Sequence, residues 1–272
     1  MNKNVLITGG SGLIGKRISD LLLQRGYRVI HLSRKASDGK IKTYQWDIEH
    51  QTIDPNALDN IDIIIHLAGA GIGDKPWTKK RKSEILTSRT ESARLLYNAL
   101  RKGKHNVKTF ISASGISYYG LEDHGQPFKE DDHQALGFLP EVVFHWEKAA
   151  DEIATLGVRV VKIRTGIVLS GKGGLLPRMM LPFKFYVGAQ LGPGTQPLSW
   201  IHIEDLCNIY IKAIEDPAMV GVYNGVAPNP VTNKEFTKAL ATAMRKPVIL
   251  PPVPPFFIKL LLGEMADLAL KG

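Results

Sequence analysis

The chain has 272 residues, 44% of them hydrophobic, enough to bury a sizeable core as one large α/β domain or a domain with a smaller lobe. Its single cysteine, Cys207, excludes a disulfide framework, and no apolar run approaches the ~20 residues of a membrane-spanning helix. The formal charge of +9 suggests nucleic acid, but the densest basic cluster, Lys79–Lys82, lacks interleaved aromatics and any binding-module signature, so it reads as a solvated helix face. A cytoplasmic setting is expected, with no leader ahead of the first strand and neither membrane nor nucleic acid as partner.

The first strand is expected over Asn4–Thr8 and runs into Thr8-Gly9-Gly10-Ser11-Gly12-Leu13-Ile14-Gly15, ahead of a helix over Leu13–Arg25. A buried strand, a tight glycine turn and a helix N-terminus in this order cradle a pyrophosphate. Glycine lets the backbone approach the phosphates, and the unpaired N–H groups and helix dipole favour their charge. The spacing G-x-x-G-x-x-G is a weak signal alone and a strong one directly after a strand. Gly9, Gly12, Leu13 and Ile14 are therefore candidate dinucleotide contacts.

Further strands are expected over Arg28–Leu32, Lys42–Trp46, Ile61–Leu67, Thr109–Ala113 and Arg159–Arg164, and helices over Lys79–Arg101 and Glu141–Leu156. Strands alternating with helices predict a doubly wound parallel sheet, an α/β Rossmann architecture. Beyond the second strand stand Ser33 and Arg34, where an acid would select NAD and an arginine accommodates a 2′-phosphate, so NADP is expected over NAD. Asp47 is a candidate acceptor for the adenine amine or a plain turn residue. Leu67, Ala68 and Gly69 end the fourth strand in small residues over which a cofactor can lie, while His66 reads as a satisfied histidine in an apolar strand.

After Arg164 the chain becomes rich in glycine and proline, with helices expected over Leu176–Tyr186, Glu204–Glu215, Asn233–Met244 and Phe256–Leu270. The expected division is a Rossmann domain over 1–165 and a substrate lobe over 166–272, interleaved with the last sheet strands.

The stretches TGGSGLIG (8–15), HLAG (66–69), SASGISYYG (112–120), RTGIVLS (164–170) and SWIHIEDL (199–206) resemble the extended short-chain dehydrogenase/reductase superfamily. DKPWTKKRKSEILTSR (74–89) and GVAPNPVTNKEFTKAL (225–240) are similar to its branch of NAD(P)-dependent sugar-nucleotide epimerases, and 251–272 resembles the start of that branch's C-terminal segment, so the chain is expected to be incomplete there. The resemblance implies an oxidoreductase-like or epimerase-like enzyme acting on a small polar substrate, a nucleotide sugar among the candidates. It places Ser88 and Arg89, with Ser112, beside the cofactor and Trp200 along the substrate cleft, where Trp77 and Tyr119 are further candidates. It also implies a homodimer through the helices 79–101 and 141–156.

One departure stands out. The superfamily's Tyr-x-x-x-Lys helix, whose lysine lowers the tyrosine pKa for proton exchange, is here Val143-x-x-x-Glu147 or, one frame on, Phe144-x-x-x-Lys148, and its Ser/Thr position falls on Gly115. Ser114, Tyr118 and Glu141 are the replacement candidates; Glu141 and His145 share a helix face, and a buried Glu141 could titrate near neutrality. No third residue follows to complete a zinc site with them. Arg164 and Arg178 are weaker candidates for a substrate phosphate. The alternative is a non-catalytic NADP(H)-binding sensor or scaffold.

Overall fold

The computed structural model describes residues 3–122 and 125–271. Strand β1 (Asn4–Thr8) turns into α1 (Leu13–Gln24), followed by β2 (Arg28–Ser33), β3 (Ser37–Asp38), β4 (Lys42–Asp47), β5 (Thr52–Ile53) and β6 (Ile63–His66). Helix α2 (Lys79–Lys102), β7 (Thr109–Gly115), α3 (Phe138–Asp151) and β8 (Arg159–Thr165) complete the first half. The second half holds β9 (Ile167–Leu169), α4 (Leu175–Lys184), β10 (Pro197–Leu198), β11 (Trp200–His202), α5 (Ile203–Glu215), β12 (Gly221–Gly225), β13 (Val231–Thr232), α6 (Asn233–Met244), α7 (Pro255–Leu262) and α8 (Ala266–Leu270).

The main sheet runs β12-β8-β7-β6-β1-β2-β4-β3, parallel except where β3 and β5 pair antiparallel with β4. The order reverses between β1 and β6, which opens a crevice at the carboxyl ends of those strands. Side chains alternate across the pleat, so each strand feeds two cores. Val5 and Ile7 pack with Ile18, Leu22, Leu206 and Tyr210 from α1 and α5, while Leu6 packs with Leu95, Leu96 and Ile153 on the opposite face. Burial on both faces explains the continuous apolar runs, each fully buried side chain contributing about 1.5–3 kcal/mol.

The main strands lie where the sequence places them. Strand β6 starts at Ile63 rather than Ile61: Ile61 still donates to the Leu58 carbonyl of the preceding turn, and the Asp62 carboxylate accepts the Asn4 N–H at 2.8 Å. Strand β12 is unforeseen, since glycines flank its short Val222-Tyr223 core. The helix expected over Glu141–Leu156 starts earlier, at Phe138, and its last turn tightens to 3-10 geometry. The single helix expected over Phe256–Leu270 is split into α7 and α8 at Gly263, whose φ of 56° breaks the helical path. Outside the main sheet, β9 pairs with β11 and β10 with β13, and α4 packs on α6 through Phe183, Leu240 and Ala241.

Candidate functional site

The glycine turn after β1 is built by close packing of backbone. Gly9 has φ 68°, and a Cβ there would meet the Leu67 carbonyl at 3.0 Å. At Gly15 a Cβ would lie 2.4 Å from the Gly9 oxygen, so only glycine lets α1 come this near the turn. Gly12 is the N-cap and offers no side chain to the first turn, leaving the N–H groups of Leu13 and Ile14 without intrahelical acceptors. Across the crevice, Leu67 and Ala68 both donate their N–H groups to Thr8 Oγ1 at 3.1 Å, which pins the loop after β6 against this turn.

Thr8 also fixes His66. With both N–H groups entering its oxygen, its own proton goes to His66 Nδ1 at 2.8 Å. Ser92 Oγ donates to the Ser88 carbonyl at 2.7 Å and accepts from His66 Nε2 at 3.1 Å. Complete burial lowers the His66 pKa to about 4, so the ring is neutral and structural.

At the carboxyl ends of β7 and β8 lies a buried polar network. Ser114 donates to Glu147 Oε1 at 2.5 Å, and Arg164 forks onto the same carboxylate, Nε to Oε1 at 2.8 Å and Nη2 to Oε2 at 2.9 Å. Arg164 Nη1 donates to Tyr119 Oη at 2.7 Å, and Tyr119 donates to Asn224 Oδ1 at 2.8 Å. The guanidinium carbon sits 3.5 Å from the centre of the Tyr118 ring. Burial opposes the charge on Arg164, but hydrogen bonding to Glu147 and Tyr119 outweighs it and raises its pKa. For Tyr119, burial dominates over the Arg164 contact and raises the pKa. One rung further along, Lys162 pairs with Asp151 at 2.7 Å.

The other predicted residues are placed as follows. Gly115 and Val143 face each other: a Cβ on Gly115 would stand 3.5 Å from Val143 Cγ2. Glu141 is exposed rather than buried, so it is not the expected acid; the buried glutamate on α3 is Glu147, which is paired with Arg164. Ser114 turns its proton to that glutamate. Ser33 is half-buried and Arg34 exposed at the end of β2. Asp47 is committed to its own turn, accepting from the N–H groups of Glu49 (2.9 Å) and His50 (3.1 Å) and from His50 Nδ1 (2.8 Å). Ser88 accepts the Ala70 N–H at 2.9 Å, and Ser112 donates to the Ala113 carbonyl at 2.9 Å. Gly69 lies against Arg89, with 3.1 Å between a Cβ position and its Cζ. Trp77 donates to the Ile72 carbonyl at 3.0 Å with its ring edge on Phe138, Trp200 is half-buried on β11, and Arg178 donates to the Gly73 carbonyl at 3.2 Å. No helix among the described residues is long and apolar enough to cross a membrane.

Comparison with known proteins agrees with this geometry. The model of the NAD dependent epimerase/dehydratase family matches residues 5–224. The chain is 39% identical to the epimerase family protein YfhF of Bacillus subtilis over 99% of its own length and 88% of the relative's. It superposes with a TM-score of 0.87 on the human epimerase family protein SDR39U1, solved with NADPH, at 32% identity over 98% of this chain and 88% of that one. A nucleoside-diphosphate sugar epimerase from Corynebacterium glutamicum gives a TM-score of 0.79 at 34% identity, covering 100% of this chain and 52% of that one. With its β1 turn, its crevice and a matching family model over most of its length, the chain belongs to the NAD dependent epimerase/dehydratase family, within the extended short-chain dehydrogenase/reductases.

Proposed function

We propose that the chain binds NADP(H) in the crevice at the ends of β1 and β6 and transfers hydride to or from a small polar substrate, a nucleotide sugar being the first class to screen. The carrying observation is the glycine turn, closed to any Cβ at Gly15 and followed by a helix without a side-chain cap. In this reading Gly9, Gly12, Leu13 and Ile14 hold the pyrophosphate. Ser33 and the exposed Arg34 take the 2′-phosphate, with Leu67, Ala68, Gly69 and Ser88 under the remainder, while Ser112, 1% exposed, is enclosed in the sheet. The solved NADPH complex of the human relative supports NADP over NAD. The nicotinamide, when bound, supplies the hydride chemistry. Of the proton-carrying candidates, Tyr118 is the strongest, since Ser114 donates its proton to Glu147, Tyr119 donates its own to Asn224, and Glu141 is exposed. Trp77 and Trp200 would wall the substrate side.

A second reading, a cofactor-binding protein without chemistry, is favoured by Val143 facing Gly115 where the superfamily pattern calls for tyrosine and serine. Calorimetric titration with NADPH and NADH is the test of the cofactor. A preference for NADPH that Arg34→Ala removes supports the proposal, whereas binding of neither nucleotide by folded protein overturns it. Hydride exchange with a nucleotide-sugar panel, lost in Tyr118→Phe, separates the two readings.

A further inference from the structure

Two buried guanidiniums lie under the loop that follows β6. Arg89 is 6% exposed; its Nη1 donates to the carbonyls of Ala70 (3.0 Å) and Ile85 (2.8 Å), and its Nε is buried without a partner. Its plane lies over Trp146, 4.9 Å from the ring centre. Arg81, on the same face of α2, is 7% exposed and donates through Nη2 to the Gly71 carbonyl and through Nη1 to Glu84 at 2.7 Å, its Nε again unpartnered. Among the described residues no carboxylate pairs with Arg89. Burial, with Arg81 beside it, lowers its pKa to about 10, so it is charged at neutral pH and lacks a counter-charge. Buried charges are ordinarily paired, because the penalty for leaving water is otherwise uncompensated.

The loop shows where a counter-charge would sit. Arginine hydrogen bonds draw the Ala70 and Gly71 carbonyls down toward α2. Both peptides are trans, so the N–H groups of Gly71 and Ile72 point the opposite way. Neither makes a hydrogen bond within the described residues. Ser88, accepting the Ala70 N–H, fixes the loop in this orientation. Successive outward N–H groups form an anion-binding concavity, here with positive charge behind it. The loop that carries it starts at Leu67 and Ala68, which pack against Gly9 of the glycine turn. The nearest acid, Asp74, lies against Gly71 and is engaged by Arg178 from α4 at 3.4 Å.

We infer that the Gly71 and Ile72 amides, backed by Arg89 and Arg81, bind an anionic group of the substrate, a carboxylate or a phosphate. The assignment to substrate rests on the proposed function, in which the cofactor occupies the neighbouring turn. The test is a titration of the NADPH-saturated, isotope-labelled protein with inorganic phosphate, read at individual backbone amides. Saturable shifts of Gly71 and Ile72 are expected, with affinity reduced about tenfold or more in Arg89→Met, as for loss of a charged partner. Absence of those shifts, or equal affinity in the variant, overturns the inference. Shifts seen only without cofactor and abolished by NADPH would make the amides a cofactor phosphate site, which also overturns it. NADPH binding is read separately at the Gly9–Gly15 amides. A silent glycine turn thus reports failure of the cofactor reading, while phosphate on the same protein still reads Gly71 and Ile72. Should Arg89→Met not fold, Ile72→Pro removes one of the two donors and must weaken phosphate binding.

Discussion

His66 is neutral because it is fully buried and its two ring nitrogens face one donor, Thr8, and one acceptor, Ser92. Its folded pKa of about 4 lies below the unfolded value of 6.5, so the unfolded chain binds the extra proton between those values. The contribution of His66 is therefore complete above pH 6.5 and is lost as pH falls toward 4, in total about 3 kcal/mol. Urea unfolding from pH 7 to 4 should show that slope, flattened in His66→Leu. The Glu147–Arg164 fork behaves differently, since removal of one member strands the other. Arg164→Met should cost about 3–5 kcal/mol, and Glu147→Leu added to it should recover much of the loss. A double change no more stable than the single one would show that the fork is not the reason. Residues in the glycine turn were legible because their chemistry is local. Ser114 and Arg164 were legible as polar side chains near a cleft. Their engagement by Glu147 was hidden, because it joins three elements whose register only the packed sheet determines.

At the scale of elements, α3 and β8 are matched in pitch. Four residues of helix rise ~6 Å and two of strand ~6.6 Å, so Glu147 and Asp151 meet Arg164 and Lys162 as successive rungs. The turn between β1 and α1 invites a paired prediction. Gly15→Ala should lose both stability and NADPH binding, since its methyl would enter the Gly9 carbonyl at 2.4 Å. Gly12→Ala has φ −74° and a nearest contact of 3.2 Å. It should fold within about 1 kcal/mol of the parent, on the scale of ordinary surface changes, yet still bind NADPH poorly. Thermal melts with and without cofactor distinguish the two. Long strands buried on both faces announce themselves by their apolar runs, which is why β1, β2, β6, β7 and β8 could be read from sequence, while β4, with only Trp46 buried, shows itself by its alternating pattern. Strands β9 to β13 are short, glycine-flanked or proline-bearing, and take their conformation from partners distant in the chain.

At the scale of the molecule, the two halves of the chain are tied by specific bonds. Arg17 on α1 forks onto Glu204 on α5 at 2.7 and 2.6 Å, Lys82 pairs with Glu264, and Arg178 reaches the loop before α2. Cofactor bound in the crevice at the ends of β1 and β6 should raise stability by about 2.7 kcal/mol at a hundredfold excess over Kd, observable as a concentration-dependent rise in Tm. A Tm insensitive to NADPH would contradict the proposed site. The glycine turn carries one more consequence, for the protein's history. Its form is dictated by main chain alone, so a substitution at its tightest point is all or nothing and offers selection no graded path. Drift between nucleotides must then proceed at the rim, where Ser33 and Arg34 can be exchanged without disturbing the fold. Relatives that keep the same turn and differ there would record such changes of cofactor.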